Sequence, residues 1–185
     1  MSSERTRKTV IAGVLGAISV LLGVTRLGFI PWFSGASLTV MHVPVIIGAV
    51  LEGPVVGAGV GLIFGAFSML QAAIAPTGPA DVWFTNPLLA VLPRLVIGPM
   101  AWLAYRALEK WPVPALTVAG IVGSLTNTVL VLGMIGVLGH LPWPALPPIA
   151  LANGLPEAAA SALITVAVVA AWRRLEVGSQ KGSRV

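Results

Sequence analysis

Four polar side chains interrupt the apolar stretches of this 185-residue chain, and these residues are best able to do chemistry. They are His42, Arg94, Asn127 and Glu157. A guanidinium can bind a carboxylate or a phosphate, and the other three groups exchange hydrogen bonds with polar molecules. Polar groups are costly in an apolar setting, so they usually face a protein interior or a cavity. The set indicates a binding site for a small polar molecule.

Patterns typical of catalysis and of metal binding are missing from the sequence. It contains no GxSxG elbow, no HExxH pair, no P-loop and no cysteine. The two histidines, His42 and His140, lie in separate segments without carboxylates at metal-site spacing. We therefore expect a protein that is not an enzyme and that needs no metal or cofactor. Any step driven by ATP would require another subunit.

The composition places the polar residues in a membrane protein. Hydrophobic residues make up 57% of the chain, charged residues only 9%, and the mean hydropathy is +0.96. Apolar stretches near the length of a bilayer span recur throughout. They predict an all-α integral membrane protein, a single bundle of six transmembrane helices over residues 9–24, 38–51, 55–74, 86–108, 115–138 and 149–172. Residues 1–174 form this domain, and residues 175–185 are a polar tail expected to be disordered beyond its first turn.

The distribution of basic residues predicts the orientation. Under six spans, nine lysines and arginines lie on the side that holds both termini, and only Arg26 lies on the other. Basic loop residues favour the cytoplasm, so we expect a multi-pass protein of the cell membrane with both termini inside. The basic excess is then a signal of topology, and no nucleic-acid partner is expected.

The polar residues are predicted to lie at similar depths. With a rise of about 1.5 Å per residue, Arg94 and Glu157 lie about 12 and 13 Å below the outer surface and Asn127 about 16 Å. His42 and Asn153 are shallower, at about 6 to 8 Å. This layout predicts a pocket that opens to the outside in the outer half of the bundle.

Structural roles compete with ligand binding at each of these positions. Arg94 and Glu157 could instead neutralise each other and pin two helices together. Asn127 could be a packing contact between helices. His42, two residues before Pro44, could serve a local kink. The sequence leaves these alternatives open.

Small residues mark one face of the first helix. Ala12 and Gly16, and likewise Gly13 and Ala17, are four positions apart, a spacing that lets another helix approach closely. The close neighbour is either another helix of this chain or another protein.

Three segments carry a family resemblance. FIPWFSGASLTVMHVPVIIGAVLEGPVVGAGVGLIFGAFSMLQA, NPLLAVLPRLVIGPMAWLAYRAL and GSLTNTVLVLG together resemble the substrate-binding S components of energy-coupling factor (ECF) vitamin transporters. The combined motifs are T-x-x-H-x-P-V-I-I-G-A, F-G-x-x-S, N-P-L-x-x-x-L-P-R and N-T-V-L-V. They add Thr39 and Asn86 to the candidate substrate-binding residues. The likeness covers nearly the whole chain.

The resemblance implies a mode of action. Such proteins bind one vitamin tightly, pair with a membrane-embedded coupling subunit and two ATPase subunits, and topple in the bilayer to carry the ligand inwards. It implies that the loop 29–36 is a lid, so that Trp32 is either a lid residue or an interfacial anchor. The family contacts its coupling subunit through an AxxxA face on helix one. Here Ala12, Gly13, Gly16 and Ala17 replace the strict alanine pair.

The resemblance favours pantothenate as the ligand over pyridoxine or a pyrimidine precursor. Two other classes of function compete with it. One is a stand-alone transporter of small solutes, which inverted repeats or broken helices at the midplane would favour, and the sequence shows neither. The other is a membrane-embedded enzyme that uses His42, Arg94 and Glu157, which would need two titratable groups within reach of one reacting atom.

Overall fold

The structure is a computed structural model that describes residues 2–31, 37–76 and 78–182. Within these ranges the chain is almost entirely helical. The α-helices are α1 Ser2–Val24, α2 Val43–Glu52, α3 Pro54–Ile74, α4 Pro87–Ala90, α5 Leu92–Ala107, α6 Pro112–Val137 and α7 Leu146–Gly182. Two 3-10 turns, Asp81–Thr85 and Trp143–Ala145, precede α4 and α7.

Five segments of the described chain are long and apolar enough to cross a membrane. They are Ser3–Val24, Pro54–Ile74, Pro87–Ala107, Pro112–Val137 and Trp143–Arg173. Their outward faces carry large apolar side chains, such as the exposed Val14 and Leu163. Such a surface suits lipid, so the chain is a predominantly helical, multi-pass membrane protein.

The sixth apolar segment, α2, is short and lies inside the bundle. Residues 43–50 are all buried, among α1, α3, α5, α6 and α7. The sequence predicted a helix from residue 38, but α2 begins only at Val43. Pro44 has no N–H to donate, so it suits the first turn of a helix and cannot lie deep within one. The preceding residues form a strand instead.

A two-stranded antiparallel sheet joins α1 to α2 and is a small exception to the all-α prediction. Its strands are β1 Phe29–Pro31 and β2 Ser37–Thr39, with Phe29 opposite Thr39. The Val40 N–H donates to the Gly28 carbonyl oxygen at 2.9 Å and continues the ladder. We refer to residues 28–31 and 37–40 as the hairpin.

The predicted helix 86–108 is divided into α4 and α5. Pro93 cannot donate to the carbonyl of Leu89 four residues earlier, so the helical ladder is interrupted there. Asn86 caps the short α4, because its Oδ1 accepts from the Leu88 N–H at 3.0 Å. The break leaves the Leu89 carbonyl available to another donor.

Glycines bring α3 and α5 into close contact. A Cβ atom at Gly61 would overlap the backbone carbonyl of Arg94, and one at Gly98 would lie 2.6 Å from the carbonyl carbon of Gly57. Only hydrogen at these positions lets the two backbones meet. The contact fixes the height and rotation of the part of α5 that carries Arg94.

The helices extend further at both termini than the sequence indicated. α1 begins at Ser2 and α7 runs to Gly182, so both are longer than the predicted spans 9–24 and 149–172. A helix that is already formed lengthens easily, since each added residue gains one hydrogen bond. Near the N-terminus, Arg7 pairs with Glu52 at 2.7 Å. Near the C-terminal end of α7, Arg173 donates to the Tyr105 hydroxyl at 2.6 Å.

Candidate functional site

A cavity of about 330 Å³ lies between the hairpin, α3, α5 and the 3-10 turn at Asp81–Thr85. Its polar lining comes from Arg26, Thr39, Ser68, Gln71, Asp81 and Arg94. Phe64, Phe84 and Met41 form part of the apolar lining. The cavity has the size of a site for a small organic ligand, which typically offers a few polar groups on an apolar wall.

Arg94 is the buried charge of this cavity. Its side chain is only 6% exposed, and Nη1 donates to the Leu89 carbonyl oxygen at 2.6 Å. The guanidinium carbon lies 5.4 Å from the ring centre of Phe64 and 5.1 Å from that of Phe84. These contacts hold the group between two aromatic rings and one carbonyl. Its Nε has no hydrogen-bond partner among the described residues.

Glu157 lies apart from Arg94 and supports the hairpin. Its Oε1 accepts from the backbone N–H of Thr39 at 2.7 Å. In the described part of the chain, Arg94 and Glu157 form no ion pair, so the structure does not support the alternative in which they neutralise each other. Thr39 lines the cavity, so Glu157 acts on it through one hydrogen bond.

Further buried polar groups lie at the start of α2, on α6 and on α7. His42 is fully buried, and its Nε2 is 2.9 Å from the Ser161 hydroxyl. Within the described residues, His42 Nδ1, Ser124 Oγ and Asn127 Oδ1 are buried without a hydrogen-bond partner. Unpaired buried polar atoms are costly, so these atoms can bind water or a polar ligand group.

The predicted site residues therefore occupy different places. Thr39 and Arg94 line the cavity, whereas His42, Asn127 and Glu157 are buried but do not line it. Asn86 is half-buried as a helix cap, Asn153 is half-buried on α7, and Trp32 lies outside the described residues. Arg94, Asn127 and Glu157 are all buried, so none of them faces lipid. These side chains, which come from three different helices, do not line one common cavity.

Several lining residues were not singled out from the sequence. Phe64 and Phe84 had no polar signal, and Gln71 and Asp81 lie at the end of a helix and in a loop, where polar residues are ordinary. Ser68 was part of the F-G-x-x-S motif, which could have identified it. Arg26 was noted only for its charge.

The two small-residue pairs of α1 have different environments. Ala12 and Gly16 face the bundle, and a Cβ at Gly16 would lie 2.6 Å from the Ile63 side chain. Gly13 and Ala17 are exposed, and nothing lies within 4 Å of a Cβ built at Gly13. The first pair packs against α3, and the second presents a flat, open face.

The fold and the cavity together define a class of protein: a multi-pass membrane protein that encloses a polar site for a small solute. Comparison with known proteins gives the family. A sequence model described as "ECF transporter, substrate-specific component" matches residues 7–169. The chain belongs to this family, which confirms the resemblance, and it is the substrate-binding component of an uptake system. The family describes a component of a transporter, so neither the stand-alone transporter nor the enzyme is supported.

Two curated relatives are similar to the chain. The Lactococcus lactis subsp. cremoris protein named "Pantothenic acid transporter PanT" is 28% identical over 92% of this chain and 96% of its own length. The Leuconostoc mesenteroides protein named "Pantothenate transporter PanT" is 32% identical, over 60% of this chain and 55% of its own.

Proposed function

We propose that this chain binds pantothenate for uptake as the substrate-specific component of an ECF transporter. Both curated relatives carry pantothenate in their names, and one of them aligns over nearly its whole length. The observation that carries the choice of ligand is a buried arginine in the cavity wall that has no acidic partner among the described residues.

Pantothenate has a carboxylate at one end, an amide in the middle, and two hydroxyls beside a pair of methyl groups. In our proposal the carboxylate binds Arg94, because a charge buried without a counter-ion is stabilised by an anionic ligand. Phe64 and Phe84 flank the guanidinium, and Thr39, Ser68 and Gln71 provide hydrogen-bonding groups for the amide and hydroxyls. Ligand contacts by His42, Asn86, Asn127, Asn153, Glu157 and Trp32 remain predictions.

The test compares pantothenate with panthenol, in which a neutral alcohol replaces the carboxylate. Isothermal titration of the purified protein should show pantothenate binding about 10- to 100-fold more tightly, as expected for one charge-assisted hydrogen-bonded pair. In Arg94→Gln this preference should fall to about 1. Arg106→Gln, at the opposite end of α5, is the matched control and should keep it. Equal binding of both compounds by the unaltered chain, or tighter binding of pyridoxine, would refute the proposed ligand.

We also propose that the hairpin and α2 together count as a sixth membrane segment, with both termini in the cytoplasm. Five long helices and the buried α2 support it, as does the bias of basic residues towards one side. The chain has no cysteine, so a cysteine introduced at one position is the only thiol that a maleimide can label. An impermeant maleimide should label Ala80→Cys in intact cells and Lys110→Cys only after permeabilisation. The reverse pattern would overturn the orientation.

The proposed partners are a membrane-embedded coupling subunit and two ATPase subunits. Membership of the family implies a complex of this kind. The exposed Gly13 and Ala17 on α1 are the part of the small-residue face that remains open to a partner. Ala12 and Gly16 belong to the same predicted contact but are occupied by packing within the chain.

A further inference from the structure

Arg26 adopts an unusual backbone conformation at the turn that follows α1. Its φ is 59°, and it is the single non-glycine residue with positive φ among the described residues. This left-handed region is unfavourable for a residue with a side chain, whereas glycine enters it freely. The turn fixes it there, because the Arg26 N–H donates to the Gly23 carbonyl and the Gly28 N–H to the Leu22 carbonyl. An arginine here is not explained by the fold.

The arginine is also unfavourable for membrane topology. Under the proposed orientation, Arg26 is the one basic residue of the outer loops, and basic residues there oppose the orientation. Two independent physical preferences therefore act against arginine at position 26.

The side chain of Arg26 gives a reason for its presence. It is exposed and lines the same cavity as the buried Arg94, so it lies where the cavity meets the surface. It makes no ion pair with any residue that the structure describes. The other charged residue of the lining is Asp81, whose Oδ2 accepts from the Gly78 N–H at 3.1 Å. The described lining of the cavity carries a net positive charge, and Arg26 at its outer end is accessible to solutes.

We propose that Arg26 is the capture residue for the anionic substrate: it attracts the carboxylate to the mouth of the cavity and speeds association, and Arg94 then holds it. This inference rests on the proposed function. An exposed charge at a cavity mouth raises the association rate in a salt-dependent way, whereas a buried contact governs dissociation. Arg26 therefore affects the association rate, and Arg94 affects the dissociation rate.

The experiment measures the association and dissociation rates of pantothenate by stopped-flow tryptophan fluorescence at several salt concentrations. In Arg26→Gly and Arg26→Gln, the association rate should fall by about 10-fold at low salt and lose most of its salt dependence. The dissociation rate should change by less than about 2-fold. Arg26→Lys should retain fast association. Arg5→Gln is exposed at the opposite end of α1 and removes the same charge, so it should behave as the unaltered chain.

The thermal midpoint separates this role from a structural one. Arg26→Gly should unfold at the same temperature as the unaltered chain or a higher one, because glycine relieves the left-handed backbone. Association rates equal to those of the unaltered chain, or an affinity loss that lies wholly in dissociation, would refute the capture role alone. No pantothenate binding by the unaltered chain would refute the proposed function and this role with it.

Discussion

The backbone N–H of Thr39 donates a hydrogen bond of 2.7 Å to Oε1 of Glu157, two residues 118 positions apart. Thr39 ends β2 and lines the cavity, and Glu157 lies inside α7 with only 5% of its surface exposed. This bond ties the hairpin to the last helix at the level of the cavity. Among the described residues no cation pairs with this buried carboxylate, which makes its burial costly. We infer that its role is to hold Thr39 in place at the cavity.

Replacing Glu157 by leucine should destabilise the protein and weaken ligand binding. The change leaves the Thr39 N–H without its acceptor, at a cost of about 1–3 kcal/mol. Glu157→Gln keeps an oxygen at this place and should lose much less. Thermal unfolding in detergent and pantothenate titration measure the two effects. A leucine variant as stable and as tightly binding as the unaltered chain would remove the proposed support of the hairpin.

Replacing Gly61 by alanine should push α3 away from α5 and impair the cavity. The added methyl group meets the backbone carbonyl of Arg94, which cannot move by a side-chain rotation. Overpacking of this kind costs about 1–3 kcal/mol. Gly59 is on the same helix, and nothing lies within 4 Å of a Cβ built there, so Gly59→Ala is the control. We expect lower affinity and a lower thermal midpoint for Gly61→Ala alone; equal behaviour of the two variants would contradict this close contact.

Hydrophobicity was sufficient to place the long helices but not the irregular elements between them. Apolar runs predicted α3 and α6 to within a few residues, because a bilayer span needs a continuous apolar segment. The start of α2 and the break before α5 depend on Pro44 and Pro93, whose missing N–H groups act locally. The hairpin has no such run and was missed.

The burial of individual polar residues could be predicted from the sequence, but their contacts could not. Cost of burial correctly selected Arg94 and Glu157 as interior residues, since that cost is a property of each side chain. Their partners depend on the fold: Arg94 contacts a carbonyl that Pro93 leaves available, and Glu157 contacts a backbone N–H of a distant strand. Helix depth alone could not separate these two places.

Bulky residues on the open face of α1 should block uptake without affecting binding. Gly13→Leu and Ala17→Leu place a side chain where the proposed coupling subunit approaches, and both positions are exposed. Uptake of labelled pantothenate should fall to background, while titration in detergent stays unchanged. Ala159→Leu adds the same bulk to an exposed position of α7 and should transport normally. Normal uptake by both α1 variants would exclude this face as the docking surface.

Replacing Pro93 by alanine should weaken ligand binding although every charge is kept. Alanine restores an N–H that can donate to the Leu89 carbonyl and so competes with the Arg94 Nη1 for this acceptor. The guanidinium then loses the contact that orients it between Phe64 and Phe84, and we expect about a 10-fold loss of affinity for pantothenate. Pro99 lies inside the same helix, outside the lining of the cavity, and Pro99→Ala should bind normally. If the two variants bind equally well, the Leu89 carbonyl does not position Arg94, and its orientation comes from the aromatic rings alone.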